Sequence, residues 1–293
     1  MSKRINPDHS LKLKDTAQVN QDHPKSISID KRSDTPWVII PARLGARRLP
    51  EKPLLDLCGR PLIARVVESV SASIDSSRIV VVSDEESVLE ASTLAKPPPG
   101  QTLIIDAPCH SGSERVRRAY QEHPHFASHR QHDEAWLLNV QGDEPLLPEA
   151  SLTALIEALP YFEHSGIHIA TLAAPLPENP EEVLHNRAAV KACLSRAQSD
   201  AEHLREALYF SRAPIGGHLH IGVYAFHSSI LDLIATPRTP LAIQEDLEQL
   251  TWMECGARIG VVCLDAPHPS GVDTIQDLER ARSLYEQRRS DLA

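Results

Sequence analysis

Arg43, Arg47, Arg48 and Lys52 place four cations within ten residues of the segment Pro41-Ala42-Arg43-Leu44-Gly45-Ala46-Arg47-Arg48-Leu49-Pro50-Glu51-Lys52-Pro53. Several fixed positive groups together with backbone N–H donors are what a bound triphosphate requires. The same charges would also suit a solvated surface loop. Its neighbours favour the first reading. Before it runs Trp37-Val38-Ile39-Ile40-Pro41-Ala42, a short β-branched stretch that predicts a buried strand. After it, Pro61 opens an apolar 3.6-residue pattern at Leu62, Ile63, Val66, Val67 and Val70, which predicts a helix. A strand-to-helix loop lies at the carboxyl end of a parallel sheet, where ligands bind in open α/β folds.

Carboxylates supply the complementary chemistry. Asp143 follows directly on the apolar run Trp136–Val140, within Asn139-Val140-Gln141-Gly142-Asp143-Glu144-Pro145. An aspartate there can hold Mg²⁺ against phosphate oxygens, and Mg²⁺ usually takes one or two carboxylates plus phosphates and waters. Asp273, in Ser270-Gly271-Val272-Asp273-Thr274, is the candidate for the second. Either aspartate taken alone reads equally well as a turn residue or a helix cap. Ser111 and Glu114 in Ser111-Gly112-Ser113-Glu114-Arg115 have the spacing of a capping box, so this segment also reads as a plain helix start. A GxGxxG fingerprint and a Walker P-loop are both missing, which argues against a dehydrogenase and a P-loop kinase.

The elements that must position these residues alternate. Strands are predicted at 37–42, 78–84, 103–105 and 136–140. Helices are predicted from Pro61 and through Leu94, with a turn at Lys96–Gly100. Apolar strands alternating with helices imply a parallel sheet covered on both faces. After about residue 165 the pattern changes. Strand-like runs appear at Ile167–Ala173, Ala188–Leu194, His220–Phe226 and Arg258–Leu264, and helical ones at Ile230–Ala235 and Ile243–Cys255. A final helix is predicted from Thr274 to about Arg288, with Thr274 and Asp277 as its cap. Residues 1–36 are polar, with almost no apolar clustering, and read as a disordered extension or as a regulatory or partner-binding tail.

Composition narrows the class. The 293 residues carry a 41% hydrophobic fraction, enough for one large domain or two joined lobes. No apolar run approaches the roughly 20 residues of a membrane span. The start MSKRINPDHSLKLKD has no apolar stretch behind its basic residues, so a secretory signal is not expected and a cytoplasmic protein is. The net charge of −10, with no dense Lys/Arg stripe, argues against nucleic-acid binding. A local basic pocket for an anion remains compatible with it. The five cysteines are odd in number and form no CxxC pair, against a disulfide framework or structural zinc.

The Pro41–Pro53 segment resembles the signature P-A-R-x-x-[AS]-[ST]-R-[LF]-P-x-K-P of the nucleotide-activated sugar transferases. Asn139–Pro145 and Gly271–Thr274 resemble the motifs N-V-Q-G-D-E-P and G-V-D-T of the 3-deoxy-manno-octulosonate (Kdo) cytidylyltransferase family. Further matches are Ser111–Arg115 to H-x-S-G-T-[DE]-R, Ala207–Ile215 to the sugar-side segment, His220–Tyr224 to H-x-G-[IV]-Y and Leu247–Leu250 to L-E-Q-L. These segments follow one another in the family's order, and the resemblance covers roughly residues 37 to 288.

The resemblance implies a Rossmann-like, mostly parallel sheet flanked by helices, of the nucleotide-diphospho-sugar transferase type. A nucleotide part at about 37–165 would be followed by a smaller α+β sugar-binding and dimerisation lobe at about 166–265 and a C-terminal helix at 274–288. It implies Mg²⁺ shared by Asp143 and Asp273, and a catalytic set of these two with Lys52 and Arg48. The nucleotide CTP would be held by Arg43, Arg48, Lys52, Ser111, Gly112, Arg115 and Gln141. An acidic 3-deoxy sugar would be held by Gln141, Arg212, His220, Glu248 and Glu248's neighbour Gln249, with Arg212 facing the sugar carboxylate. The anomeric hydroxyl would attack the α-phosphorus in line, giving CMP-Kdo and pyrophosphate for lipopolysaccharide-type glycans. A homodimer is implied as well. The sequence departs from the family at Ala46, Arg47, Cys109 and Ser113, in the short stretch 216–219, and at Ala242 and Thr251. The sugar-side departures keep a related acidic sugar (an amino-substituted Kdo or a sialic acid) open as substrate. The nucleotide-side ones keep a non-catalytic nucleotide-binding protein open.

Overall fold

A computed structural model describes residues 35–45, 48–127, 130, 135–197, 201–269 and 271–291. The expected N-terminal extension lies outside the described residues apart from Thr35 and Pro36, and so do Ala46 and Arg47. Among the described residues nine strands form one sheet: β1 (Trp37–Pro41), β2 (Ile79–Ser83), β3 (Gln101–Ile104), β4 (Trp136–Asn139), β5 (Ile169–Pro175), β6 (Lys191–Leu194), β7 (Leu204–Ser211), β8 (His218–His227) and β9 (Ile259–Cys263). Their order is β3-β2-β1-β4-β8-β5-β9-β7-β6.

The run β3-β2-β1-β4 is parallel, as the apolar strand–helix alternation predicts. Beyond it β8 pairs antiparallel with both β4 and β5. Only the β5–β9 pair is parallel there, with β9–β7 and β7–β6 antiparallel. The sheet is therefore mixed rather than mostly parallel. β6 also returns to β8 through Lys191↔Leu219 and Ala192↔His218, so β8-β5-β9-β7-β6 closes into a ring of pairings. No break separates this ring from the parallel run, because β8, a member of the ring, also pairs with β4 at the edge of the run.

The helices are α1 (Leu62–Ser71), α2 (Glu86–Ser92), α3 (Gly112–Glu122), α4 (Glu149–His164), α5 (Glu181–His185), α6 (Leu231–Ile234), α7 (Pro240–Glu245), α8 (Gln249–Glu254) and α9 (Ile275–Asp291). Strand residues alternate between faces. Val38, Ile40, Val81 and Leu138 pack under α1, α4 and Leu278 of α9. Ile39, Val80, Val82 and Leu137 pack under α3 and Trp252 of α8. All five apolar positions of the α1 pattern are buried. No helix among the described residues is long and apolar enough to cross a membrane.

Local chemistry sets the helix starts near the loops that matter. Ser111 Oγ accepts the Glu114 N–H at 3.1 Å, while the Glu114 carboxylate takes the His110 N–H at 2.8 Å. At α9 the box is reciprocal: Thr274 Oγ1 accepts from Asp277 N–H at 3.2 Å and Asp277 accepts from Thr274 N–H at 2.9 Å. The single helix expected over Ile243–Cys255 is two, because Asp246 adopts the left-handed conformation at φ +55° between α7 and α8.

Candidate active site

The loop leaving β1 is fixed at both ends. Ala42 N–H donates to Val82 O at 2.9 Å, and Leu49 is buried. Glu51 then takes a left-handed φ of 51° and a one-turn 3₁₀ helix, Lys52–Leu54, begins. This turn sends the Lys52 side chain inward. Its Nζ donates to Asp143 Oδ2 at 2.6 Å and to Asp273 Oδ1 at 3.1 Å. Arg48 donates to Asp273 Oδ2 at 2.8 Å, with its side chain more than half exposed. Burial works against the Lys52 ammonium. The Asp143 and Asp273 carboxylates outweigh it and hold the amine above the ordinary lysine range.

Backbone packing brings the two aspartates together from distant parts of the chain. Gly142 lets the turn after β4 press on the exit of β1. A Cβ there would stand 3.0 Å from Pro41 O and 3.2 Å from Ala42 Cβ. Val272 N–H donates to Asp143 O at 2.8 Å. Gly271 permits that approach, since a Cβ there would lie 2.9 Å from Glu144 Oε1 and 3.1 Å from Asp143 O.

Two adjoining cavities open here. One, of about 740 Å³, is lined by Arg43, Arg48, Lys52, Ser111, Gly112 and Arg115. The other, of about 650 Å³, is lined by Arg212, His220, Glu248 and Gln249. Gln141, Asp143, Asp273, Arg48 and Asp246 line both. Among the described residues, each candidate for the metal, the nucleotide and the sugar thus falls on one wall or the other. The first cavity holds the cations of the loop and the N-terminus of α3, where free backbone N–H groups favour an anion.

Placement and availability differ for Arg115 and Arg212. Arg115 is 4% exposed, and its guanidinium donates to Asp84 at 2.9 Å and to Ile105 O at 3.2 Å. Within this structure it braces α3 against β2 and β3. Of the five N–H groups of the Arg212 guanidinium, one each goes to the carbonyls of Glu245, Arg187 and Asp246. One N–H on each terminal nitrogen is left for a ligand.

Half-buried polar side chains line the second cavity. His220 meets Thr171 Oγ1 at 3.0 Å, and burial pushes its pKa down to about 3, so the ring is neutral at ordinary pH. Glu248 accepts from Ser113 Oγ at 2.6 Å; burial lifts its carboxyl above the usual range, with the Ser113 hydrogen bond opposing. The Tyr224 hydroxyl is buried with no hydrogen-bond partner and lies on this wall.

Some of the site escapes sequence reasoning. Glu144 and His268 face each other at 3.8 Å on the second cavity's wall. Burial, then the charge of Asp143, raises the Glu144 carboxyl, with His268 opposing. Glu144 was within reach, standing beside Asp143 in an already suspect turn. His268 sits in an irregular loop and carries no periodic signal. Glu245 accepts the Ser211 hydroxyl at 3.0 Å and the Arg212 N–H at 2.8 Å, a bracing role that only the tertiary structure discloses.

A family profile described as "Cytidylyltransferase" matches residues 37–259. A 3-deoxy-manno-octulosonate cytidylyltransferase of Anaeromyxobacter sp. (strain Fw109-5) is 38% identical over 258 residues, covering 84% of this chain and 95% of the relative. One from Parvibaculum lavamentivorans is 39% identical over 260 residues, covering 86% and 93%. Among solved structures, a CMP:2-keto-3-deoxy-manno-octonic acid synthetase complexed with CTP superposes with a TM-score of 0.70 at 27% identity, covering 86% of this chain and 98% of the other.

Proposed function

Because the chain belongs to the cytidylyltransferase family, we propose that it joins CTP to 3-deoxy-manno-octulosonate, giving CMP-Kdo and pyrophosphate. The observation that carries this reading is the pair Asp143 and Asp273, gathered around Lys52 on the line where a cation-lined cavity meets a second polar cavity. A nucleotidyl transfer needs such an arrangement, with triphosphate on one side and acceptor on the other.

Two carboxylates beside a cation-lined cavity fit Mg²⁺. Asp143 and Asp273 would hold it, and when bound it supplies charge neutralisation at phosphate oxygens and acidifies a neighbouring hydroxyl. Arg43, Arg48 and Lys52 hold the triphosphate, with the first N–H groups of α3 adding neutral donors. The two free N–H groups of Arg212 take the sugar carboxylate, a planar task suited to a guanidinium. His220, Glu248 and Gln249 take sugar hydroxyls. The anomeric oxygen then bonds to the α-phosphorus as the bond from that phosphorus to the pyrophosphate oxygen breaks, and the hydroxyl proton leaves to solvent. The residues contribute positioning and fixed charge rather than a covalent intermediate.

The Gly216-Gly217 turn between β7 and β8 is tight, and Ala242 is fully buried. Both depart from the family's pattern without lining the second cavity, and they motivate, as a second reading, a related acidic sugar in the same site. The proposal extends to a cytoplasmic homodimer, supported by the exposed apolar side chains Leu208, Leu241 and Ile243.

The test is pyrophosphate release by the purified chain with Mg²⁺, CTP and Kdo, against UTP, an amino-substituted Kdo and sialic acid. Release with CTP and Kdo is expected. Turnover with another acidic sugar alone would move the substrate, and silence across the panel would sink the proposal.

A further inference from the structure

Asn139 and Ser113 are wholly buried polar side chains, and neither lines either cavity. Burying an amide or a hydroxyl is costly unless it is hydrogen-bonded. Here both belong to one directed chain. Gln141 Nε2 donates to Asn139 Oδ1 at 3.5 Å. Asn139 Nδ2 donates to Ser113 Oγ at 3.2 Å, and Ser113 Oγ donates to Glu248 Oε1 at 2.6 Å. Every donor points the same way, from the wall shared by both cavities to a carboxylate in the second. Aligned hydrogen bonds polarise one another, so a chain with one sense is stronger than its links apart.

The chain also crosses three elements: Asn139 ends β4, Ser113 sits in the first turn of α3, and Glu248 precedes α8. We propose that Ser113 and Asn139 are positioning residues, which aim the Glu248 carboxylate at the sugar and tie its orientation to that of Gln141 beside the nucleotide. This rests on the reading of Glu248 as a sugar contact. Neither residue needs to touch a substrate. Their work is to fix, together with Ser111, the orientation of a carboxylate that also feels the charge of Arg238.

The experiment compares Ser113→Ala, Ser113→Thr and Glu248→Gln in the full chain. It measures the KM for Kdo, kcat and, separately, CTP binding without sugar. Ser113→Ala is expected to raise the sugar KM about tenfold, with CTP affinity within about twofold of the parent. Ser113→Thr, which keeps the hydroxyl, restores the parent KM. Should the alanine variant fail to fold, Ser113→Cys fills the same space with a weak donor and is expected to raise the sugar KM in the same direction. A sugar KM unmoved by Ser113→Ala, or by Ser113→Cys in its place, but raised by Glu248→Gln overturns the proposal alone. If Glu248→Gln leaves it unmoved too, Glu248 is no sugar contact and both readings fall. CTP affinity weakened as much as the sugar KM also overturns the proposal, since that marks a general structural role.

Discussion

Lys52 Nζ donates to Asp143 Oδ2 across 2.6 Å, tying the loop after β1 to the turn after β4. Two neighbouring parallel strands thereby end in opposite charges at one point. The same ammonium reaches Asp273, so three separate stretches of chain converge on it. Carboxylates gathered so closely would repel one another without a cation between them.

Asp143→Asn is expected to lower kcat by about 10²- to 10³-fold, because a neutral amide holds Lys52, and would hold Mg²⁺, less firmly where they neutralise phosphate charge. Pyrophosphate release under saturating CTP and Kdo measures this. Turnover unchanged by the substitution would show that Asp143 serves the turn and not the transfer.

Glu245 holds Arg212 by its backbone N–H and through the Glu245 carbonyl. Glu245→Ala removes the carboxylate that takes the Arg212 backbone N–H and the Ser211 hydroxyl while the carbonyl bond to the guanidinium stays, and is expected to raise the sugar KM about threefold, with the CTP KM nearly unchanged. Equal rises in both would place the damage in the fold rather than in the sugar cavity.

His220 has a folded pKa of about 3, below the roughly 6.5 of an unfolded histidine. On acidification the unfolded chain takes up the proton first. The stability His220 provides is present above about pH 6.5 and is lost as pH falls toward 3. Between pH 7 and pH 5 the parent should lose on the order of 1 kcal/mol more than His220→Asn, allowing for the partial exposure of the ring to the cavity. Urea unfolding at the two pH values reads the difference. Equal losses in the two proteins would mean that the ring is solvated.

Lys191 is fully buried, and the three N–H groups of its ammonium are shared among the carbonyls of Leu184, Asn186, Ala189 and Arg212. Burial, then the charges of Arg212 and Arg187, lowers its pKa. Lys191→Met leaves four carbonyls without this donor and is expected to destabilise the protein by about 3 kcal/mol in denaturant titration. A loss under about 1 kcal/mol would show that water replaces the ammonium.

The parallel half of the fold was legible because its strands are continuous apolar runs and its helices carry a clear 3.6-residue period. Val38 to Ile40 and the α1 pattern needed no tertiary information. The later runs found as β5, β6, β8 and β9 were legible too, and what escaped, β7 and α4 among it, did so for local reasons. β7 buries Leu204, Ala207, Phe210 and Ser211 without strict alternation, so no period-2 signal announces it. α4 carries Pro160 inside it, which reads as a breaker in isolation. Asp246 breaks a helix that propensity would continue. The chemistry was more legible than the topology. Charges such as Lys52, Asp143 and Asp273 stand out beside apolar strands, whereas supporting residues such as Ser113, Glu245 and His268 look ordinary until the chain is folded.

Because β8 pairs with the last strand of the parallel run and is itself part of the closed ring, the protein is not modular. Any cut between the nucleotide half and the sugar half must sever a strand ladder and expose two unpaired edges. New acceptor specificities therefore cannot be acquired by exchanging whole halves between relatives as cassettes. They must be reached by editing loops and wall residues on an unbroken scaffold, and split-protein versions of this enzyme should be divided elsewhere.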